Sequence, residues 1–341
     1  MNRTIELDAA RGFAILLMVM ANAAPVLLIE AELNSVLRIA GSLAAPLFIF
    51  LSGLTFNINL KRKKQSLLRN AIILLCSAVF VDLVIWNIVP FSTFDVLYLI
   101  ALSQLVFYFV KKLTAGAQMG IVLLLFVGWF VFMWGMEYRF EIGDTQIKDF
   151  VFSDLNTSTW NDKLKRMIYD GWFPIFPWIL VFALGAMSDV DLLLKSIRIP
   201  SVIFLNFLVF IVTAIFICSA ELQPTREGYI EIFYPVSPLY AVLMGSRIMT
   251  LLGLISIFKL KISKLKFLVD LGSKSLFVYI LHLVVISFIL SQFNPFNLWV
   301  FISIIFGFIL MIWIVIQIIR IKAIQLIIQR MPKALQILVG L

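Results

Sequence analysis

NLWVFISIIFGFILMIWIVIQII, residues 297–319, contains no charged side chain. At about 1.5 Å of rise per residue, a helix of this length crosses the roughly 30 Å of hydrocarbon in a bilayer. The apolar residues follow one another without the polar alternation of a membrane barrel strand, which runs for about ten residues. A helix also satisfies its own backbone hydrogen bonds in lipid. This stretch therefore predicts a transmembrane α-helix.

The composition of the whole chain agrees with that prediction. The protein has 341 residues, of which 62% are hydrophobic and only 14% charged, and it contains 32 Phe. A soluble domain typically has about 25% charged residues, so a soluble globular enzyme is excluded. Disorder and a disulfide-stapled secreted module are excluded too, because the chain is rich in large apolar residues and has two cysteines. What remains is a polytopic membrane protein.

Hydropathy predicts ten transmembrane helices and therefore an all-α fold. We expect a single transmembrane domain over residues 1–320 and an amphipathic tail at 321–341. The predicted spans are residues 8–29, 35–58, 70–89, 93–110, 118–136, 172–188, 198–219, 234–258, 273–292 and 297–319.

The distribution of Lys and Arg predicts the orientation. With the N-terminus in the cytoplasm, nineteen of these cations fall on the cytoplasmic side and six on the other side. Cytoplasmic loops carry the excess of positive charge, so both termini are predicted to be cytoplasmic. The net charge of +9 thus reflects topology. The cations are scattered over short loops, whereas a nucleic-acid partner would require a basic groove with stacking aromatics. We expect membrane lipids as partners and no nucleic acid.

The longest connection between predicted spans is residues 137–171, on the predicted outer side, with seven acidic residues and several aromatic ones. It fits either a lid or substrate platform, or a solvated loop, although loops of this length tend to have a function. Cys76 and Cys218 fall in predicted spans and indicate neither a disulfide nor a metal site.

Ionisable residues inside spans cost about 2.5–3.5 kcal/mol each on insertion scales, so each one requires a partner or a function. On the first helix, Asp8, Arg11 and Asn22 share one face, because the steps between them are close to whole helical turns. This polar stripe fits the wall of a polar tunnel. It equally fits an Asp–Arg pair that anchors the helix and an Asn that binds a neighbouring helix. The ionisable residues in spans are Asp8, Arg11, Arg38, Asp82, Arg247 and His282.

His282 is the only histidine in the chain, and Tyr279, three residues earlier, shares its helix face. A neutral imidazole in a span can accept a proton or simply donate to a carbonyl group. Any mechanism that needs a histidine base has only this candidate. Asp82 and Arg247 have opposite charges near the middle of their spans, which suggests a buried ion pair, with Arg38 as a rival partner for Asp82.

Six segments, taken in order, resemble the transmembrane acyltransferases typified by the heparan-alpha-glucosaminide N-acetyltransferase catalytic domain and its bacterial relatives. The first segment reads RTIELDAARGFAILLM, from Arg3 to Met18, and the resemblance extends over nearly the whole chain. The other segments are Pro46 to Gly53, Asp95 to Ser103, Phe173 to Gly185, Tyr234 to Pro238 and Leu271 to His282.

The resemblance implies acyl transfer from cytoplasmic acyl-CoA, usually acetyl-CoA, to a carbohydrate or lipid-linked acceptor across the membrane. Related enzymes carry a histidine eleven residues after the arginine of the first helix, or in the following loop. Here Asn22 occupies that position, residues 23–46 contain no histidine, and Tyr98 stands where many relatives have another. Proton transfer would then depend on His282, a carboxylate or Tyr98.

From this resemblance we expect His282, Asp82 and Asn22 to be catalytic. The residues expected to bind the acyl-CoA are Arg11, Asp8, Tyr279 and Arg247, and no metal is expected. The alternative is a catalytically silent member that binds or transports a small solute, lipid or glycan. We expect an integral protein of a prokaryotic plasma membrane, and a homodimer is one arrangement that the sequence leaves open.

Overall fold

The computed structural model describes residues 5–29, 37, 39–62, 64–135, 159–219, 238–258, 265–332 and 336. Within these ranges the regular structure is helical, apart from an isolated β-bridge between Leu28 and Phe296. The all-helical class predicted from the sequence is confirmed. Arg38, residues 136–158 of the outer connection and most of the tail beyond residue 332 lie outside the described residues.

The α-helices that position the features discussed below are named here in chain order. They are α1 (Ile5–Leu27), α2 (Ala44–Arg62), α3 (Lys64–Phe80), α4 (Val96–Val110), α5 (Ala115–Gly135), α6 (Trp160–Lys165), α7 (Ile175–Met187), α8 (Val190–Ile197), α9 (Pro200–Ser219), α10 (Pro238–Ile257), α11 (Lys266–Ser273), α12 (Ser275–Phe288), α13 (Leu298–Ile319) and α14 (Lys322–Gln329). π-Helical turns extend α3 over Val81–Trp86 and α6 over Arg166–Asp170. A short 3-10 turn at Leu290–Gln292 follows α12.

Six helical segments in the described part of the chain are long and apolar enough to cross a membrane. Helices α7 and α8 would add a seventh only if counted together, and they are bent by 94° at the break between them. These helices make the protein an integral membrane protein. The six segments are Ile5–Leu27, Ile39–Leu60, Leu67–Trp86, Pro238–Ile257, Ser275–Gln292 and Leu298–Ile319.

Two helices are clearly shorter than the spans predicted at 93–110 and 172–188. Helix α4 has 15 residues and α7 has 13, which is roughly 20 Å each at 1.5 Å per residue. Helix α4 begins late because the carboxylate of Asp95 caps it, accepting a hydrogen bond from Val96 N at 2.6 Å. Helix α7 begins only after Pro174, whose backbone is extended. The count of ten crossings stays a prediction.

Residues 1–48 and 248–341 form one compact unit of the chain. Its core consists of almost fully buried apolar side chains of α1, α12 and α13, such as Val19, Val278 and Ile312. At one end of this core, Phe296 N donates a hydrogen bond to the carbonyl oxygen of Leu27 at 2.6 Å. This bond ties the end of α1 to the segment that leads into α13.

Helices α1 and α11 approach each other backbone to backbone within this unit, because each has a glycine at the contact. A Cβ atom at Gly12 would clash with the carbonyl group of Leu268. A Cβ atom at Gly272 would clash with the carbonyl oxygen of Asp8. Any larger side chain at either position would push the two helices apart.

A contact between α1 and α12, the helix that follows α11, fixes the relative direction of these two helices. Asn22 and His282, which are hydrogen-bonded at 3.0 Å, lie ten residues beyond Gly12 and Gly272 respectively. Because the chain advances from the Gly12–Gly272 contact to the Asn22–His282 contact in the direction of α1, α12 runs parallel to α1. Within α11 the order is the opposite, since Gly12 meets Leu268 and Asp8 meets Gly272. Lys274 separates α11 from α12, with φ −117° and ψ 31°.

Residues 49–247 form a second compact unit. Helices α2 and α7 are in close contact there, since a Cβ atom at Gly53 would clash with the carbonyl oxygen of Phe182 and one at Gly185 with that of Phe50. The ring of Phe182 also packs on Phe107 of α4, with 5.6 Å between centroids. Helix α7 therefore contacts both α2 and α4.

We predict that alanine at Gly12 or at Gly272 destabilises the first unit by about 1–3 kcal/mol, because the added methyl group overpacks a backbone contact. The matched control is Gly307→Ala on α13, where nothing lies within 4 Å of the added atom. Alanine there should be neutral or stabilising by up to about 1 kcal/mol through its helix propensity. Thermal unfolding of the detergent-solubilised protein measures the difference. Equal melting temperatures for all three variants would contradict the close approach.

Candidate active site

The single histidine of the chain is fully buried on α12 and contacts a polar residue of α1. Its Nε2 atom lies 3.0 Å from Nδ2 of Asn22, and its Nδ1 atom lies 3.2 Å from the carbonyl oxygen of Val278. Asn22 itself is exposed. The only imidazole of the protein therefore lies next to an asparagine that is itself exposed.

These two contacts determine which nitrogen of His282 carries the proton. The amide nitrogen of Asn22 can only donate, so Nε2 accepts through its lone pair. The carbonyl oxygen of Val278 can only accept, so Nδ1 carries the hydrogen. Turning the Asn22 amide around would force a proton onto Nε2 and leave Nδ1 facing an oxygen without a hydrogen. The neutral Nδ1–H tautomer fits both contacts, and Nε2 is the basic atom.

Tyr279 also contacts the imidazole, as the three-residue spacing predicted. Its ring meets that of His282 edge to face, with 5.4 Å between centroids and 70° between planes. An aromatic edge contact of this kind restrains the orientation of the imidazole ring.

Asp8 and Arg11 form an ion pair near the start of α1, with Arg11 Nη1 3.1 Å from Asp8 Oδ1. The Asp8 side chain is 3% exposed and that of Arg11 16%. This ion pair is the one that the second interpretation of the stripe, an anchoring Asp–Arg pair, requires. The polar stripe on α1 thus consists of an ion pair at one end and the Asn22–His282 pair about 16 Å further along the helix.

Asp82 belongs to the second unit and is fully buried. Its carboxylate accepts hydrogen bonds from the phenol of Tyr98 at 2.7 Å, the backbone N–H of Phe91 at 3.0 Å and the hydroxyl of Thr93 at 3.2 Å. Hydrogen bonds of this kind stabilise a buried carboxylate without a cation. Two of the donors, Phe91 and Thr93, belong to the short segment that connects the end of α3 to α4, and Tyr98 lies in the first turn of α4.

The backbone of this segment is strained. Asn87, Phe91 and Phe94 have φ of 53°, 67° and 51°, a left-handed conformation that costs non-glycine residues about 1–3 kcal/mol each. Trp172 N donates to the carbonyl oxygen of Thr93 at 2.9 Å and so helps to hold the segment. The Asp82 carboxylate binds the same segment through Phe91 and Thr93.

The hypothesis of an ion pair between Asp82 and Arg247 is not supported among the described residues. The Asp82 carboxylate bonds to residues 91, 93 and 98 instead. The guanidinium of Arg247 lies over the ring of Phe210 at 5.8 Å from its centroid, and Nη1 is 3.8 Å from the sulfur of Met244. The rival partner of Asp82, Arg38, lies outside the described residues.

Sequence reasoning did not identify a polar cluster around Asp270, which lies just before the predicted ninth span. Its carboxylate accepts from Arg320 at 2.6 Å, Gln317 at 2.8 Å and Trp313 Nε1 at 3.3 Å. The available signal was the spacing of the three donors, which places them on one face at the end of α13.

An all-helical chain with several membrane-crossing helices and polar pairs buried between them is a polytopic membrane protein with an internal polar site. The sequence model described as "Heparan-alpha-glucosaminide N-acetyltransferase, catalytic" matches residues 3–211. This is more than half of the chain, so the protein belongs to that family. The family indicates membrane acetyltransferase activity, and its members in general use acetyl-CoA as donor. No curated protein matches the chain.

The matched region contains part of the predicted site. Asp8, Arg11, Asn22 and Asp82 lie inside residues 3–211. Arg247, Tyr279 and His282 lie beyond residue 211, so their assignment rests on the resemblance of individual segments and on the contacts described above.

We predict that Asp82→Ala destabilises the protein more than Tyr98→Phe does. The alanine variant leaves three donors without their acceptor, which costs about 1–3 kcal/mol for each buried group. The phenylalanine variant removes the bond from the phenol to Asp82, worth about 1 kcal/mol, and a longer one from Phe91 N to the phenol, while Phe91 N keeps its bond to Asp82. Tyr108→Phe, at the far end of the same helix as Tyr98, is the control and should be neutral. Thermal unfolding in nanodiscs measures all three. A melting temperature for Asp82→Ala equal to that of Tyr98→Phe would rule out the structural role of this carboxylate.

Proposed function

We propose that the protein is an acetyl-CoA-dependent acetyltransferase that acetylates a carbohydrate or lipid-linked acceptor on the outer side of the membrane. The observation that carries the proposal is the Asn22–His282 pair. It gives the only imidazole of the chain a defined tautomer with its basic nitrogen next to an exposed amide.

In this proposal His282 is the general base. Nε2 takes the proton from the acceptor hydroxyl or amine while that group attacks the thioester carbonyl carbon. The carbon–sulfur bond then breaks, and the leaving CoA thiolate takes up the proton. The hydrogen bond from Nδ1 to Val278 holds the ring in the reactive tautomer throughout.

Asn22 has two successive roles in the same reaction. Its amide N–H occupies the Nε2 lone pair in the resting site, and rotation of the side chain frees that lone pair for the acceptor. The same N–H can then donate to the acyl carbonyl oxygen as negative charge develops there. This polarises the thioester carbonyl at the moment of attack.

In this proposal the acetyl-CoA donor binds near the N-terminal end of α1, where Asp8 and Arg11 lie. Arg11, oriented by its ion pair with Asp8, binds a phosphate or a carbonyl group of the CoA arm. Tyr279 contacts the acyl end through its position against the imidazole. Arg247 is also proposed to bind the donor, as expected from the sequence. Asp82 was proposed as an alternative base, but its three hydrogen bonds favour His282 for that role.

The topology that suits this chemistry has ten spans with both termini in the cytoplasm of a prokaryotic cell. In that topology the first and the ninth spans cross the membrane in the same direction. The parallel course of α1 and α12 supports it, since an odd number of crossings must lie between two parallel spans, and seven lie between the first and the ninth.

We predict that His282→Ala lowers kcat by about 10²- to 10⁴-fold, since it removes the general base. Arg11→Ala should raise KM for acetyl-CoA by roughly tenfold, equivalent to the loss of one charge-assisted contact. The assay uses the purified protein in nanodiscs with radiolabelled acetyl-CoA and glucosamine. Ser287→Ala on α12 and Arg198→Ala, which removes an exposed cation, are the controls.

The same assay decides between this proposal and the silent family member. A specific observation favours the silent member, because Asn22 stands where related enzymes have a histidine and it occupies the lone pair of His282. Wild-type protein that neither binds acetyl-CoA nor releases CoA at saturating donor would exclude the acetyltransferase. Counterflow of solutes in liposomes then tests transport.

We predict opposite sidedness for two introduced cysteines in a background lacking Cys76 and Cys218. Lys165→Cys should react with a membrane-impermeant maleimide in intact cells, because it follows the fifth predicted span on the outer side. Lys112→Cys, which precedes that span, should react only after permeabilisation. Labelling of both or of neither in intact cells would contradict the orientation.

A further inference from the structure

Asp270 is a buried carboxylate on α11, only 6% exposed, and its hydrogen-bond partners come from α13. Oδ1 contacts Arg320, while Oδ2 accepts from Gln317 and from Trp313. The three donors follow one another at four- and three-residue steps, so they form one face over the last two turns of α13. The ring of Phe267 adds an apolar contact to Trp313, with 6.1 Å between centroids.

The opposite side of α11 contacts α1. Leu268 and Gly272 meet the backbone of Gly12 and Asp8. Asp270 lies two residues from each of them, about 200° around the helix at roughly 100° per residue. Helix α11 is therefore held between α13 on one side and the first turns of α1 on the other.

This placement connects the Asp270 cluster to the Asp8–Arg11 ion pair. Asp8 provides a carbonyl oxygen to the α11 contact and its carboxylate to Arg11. A shift or rotation of α11 would displace the backbone of Asp8 and with it the carboxylate that orients the Arg11 guanidinium. The contact leaves no room for adjustment, since even a methyl group on either glycine would clash.

We propose that Asp270 and Arg320 are positioning residues that fix α11 against α1 and so orient Arg11 for the acyl-CoA donor. The inference rests on the proposed function for its kinetic consequence. Neither residue touches the donor. Both act through α11 and the Asp8–Arg11 turn, and they make no contact with His282 among the described residues.

Asp270→Asn and Arg320→Gln each remove the ion pair while keeping similar side-chain volume. Each variant should raise KM for acetyl-CoA by about three- to tenfold and change kcat by less than about twofold, because the acid–base pair at the other end of α1 is untouched. The double variant should be no worse than Asp270→Asn alone, since that variant already removes the ion pair with Arg320. Arg320→Lys should restore part of the affinity. Arg330→Gln, which removes an exposed cation from the same end of the chain, should leave KM unchanged.

A second measurement does not depend on activity. Hydrogen–deuterium exchange of residues 5–13 should be faster in Asp270→Asn than in the wild-type protein, and unchanged in Arg330→Gln. Wild-type protein without acetyl-CoA turnover would refute the proposed function, and the exchange data would still test the positioning of α1. Unchanged exchange at residues 5–13, or a loss in kcat alone, would overturn the positioning role.

Discussion

A polar side chain inside a membrane must find its hydrogen-bond partner within the protein, because lipid offers none. Three sets of contacts made by polar side chains of α1 and of the π-helical end of α3 illustrate this constraint. Arg11 pairs with Asp8, Asn22 with His282, and Asp82 with Tyr98, Thr93 and the backbone of Phe91. The Asp8–Arg11 pair lies within α1, whereas the Asn22–His282 bond fixes α1 against α12 and the Asp82 contacts fix the end of α3 against the chain that leads into α4. The last two interactions therefore remove a cost of burial and also determine which chain segments are neighbours.

The sequence predicted what depends on local geometry. The apolar stretches are helical, and the pairs Asp8–Arg11 and Tyr279–His282 are in contact because helical neighbours lie three residues apart. The bond between Asn22 and His282 joins residues 260 apart, and no spacing rule connects them. The partners of Asp82 were also missed, since they depend on a π-helical turn and on left-handed residues that no sequence pattern indicates.

The break between α11 and α12 allows these two consecutive helices to contact α1 at two positions along its length. At one end, two glycines allow backbone contact next to the Asp8–Arg11 pair. At the other end, α12 brings the imidazole to Asn22. An unbroken helix would have to keep one direction along α1 over both contacts, whereas the non-helical Lys274 lets α11 and α12 take different directions relative to α1. The donor end and the acid–base end of the proposed site can therefore be set separately.

Asp82 and His282, the two buried acid–base candidates, differ in how readily their basic atoms can be freed to accept a proton from a substrate. Asp82 is surrounded by its three donors inside a strained segment, and protonating it would weaken the hydrogen bonds that hold that segment. His282 has a single movable donor at Nε2, and the residue that supplies it is exposed. A general base must release its lone pair and recover it in every cycle. Rotation of one amide side chain is enough for His282, whereas Asp82 would have to lose two hydroxyl donors and one backbone donor. This difference favours His282 over Asp82 as the proposed base.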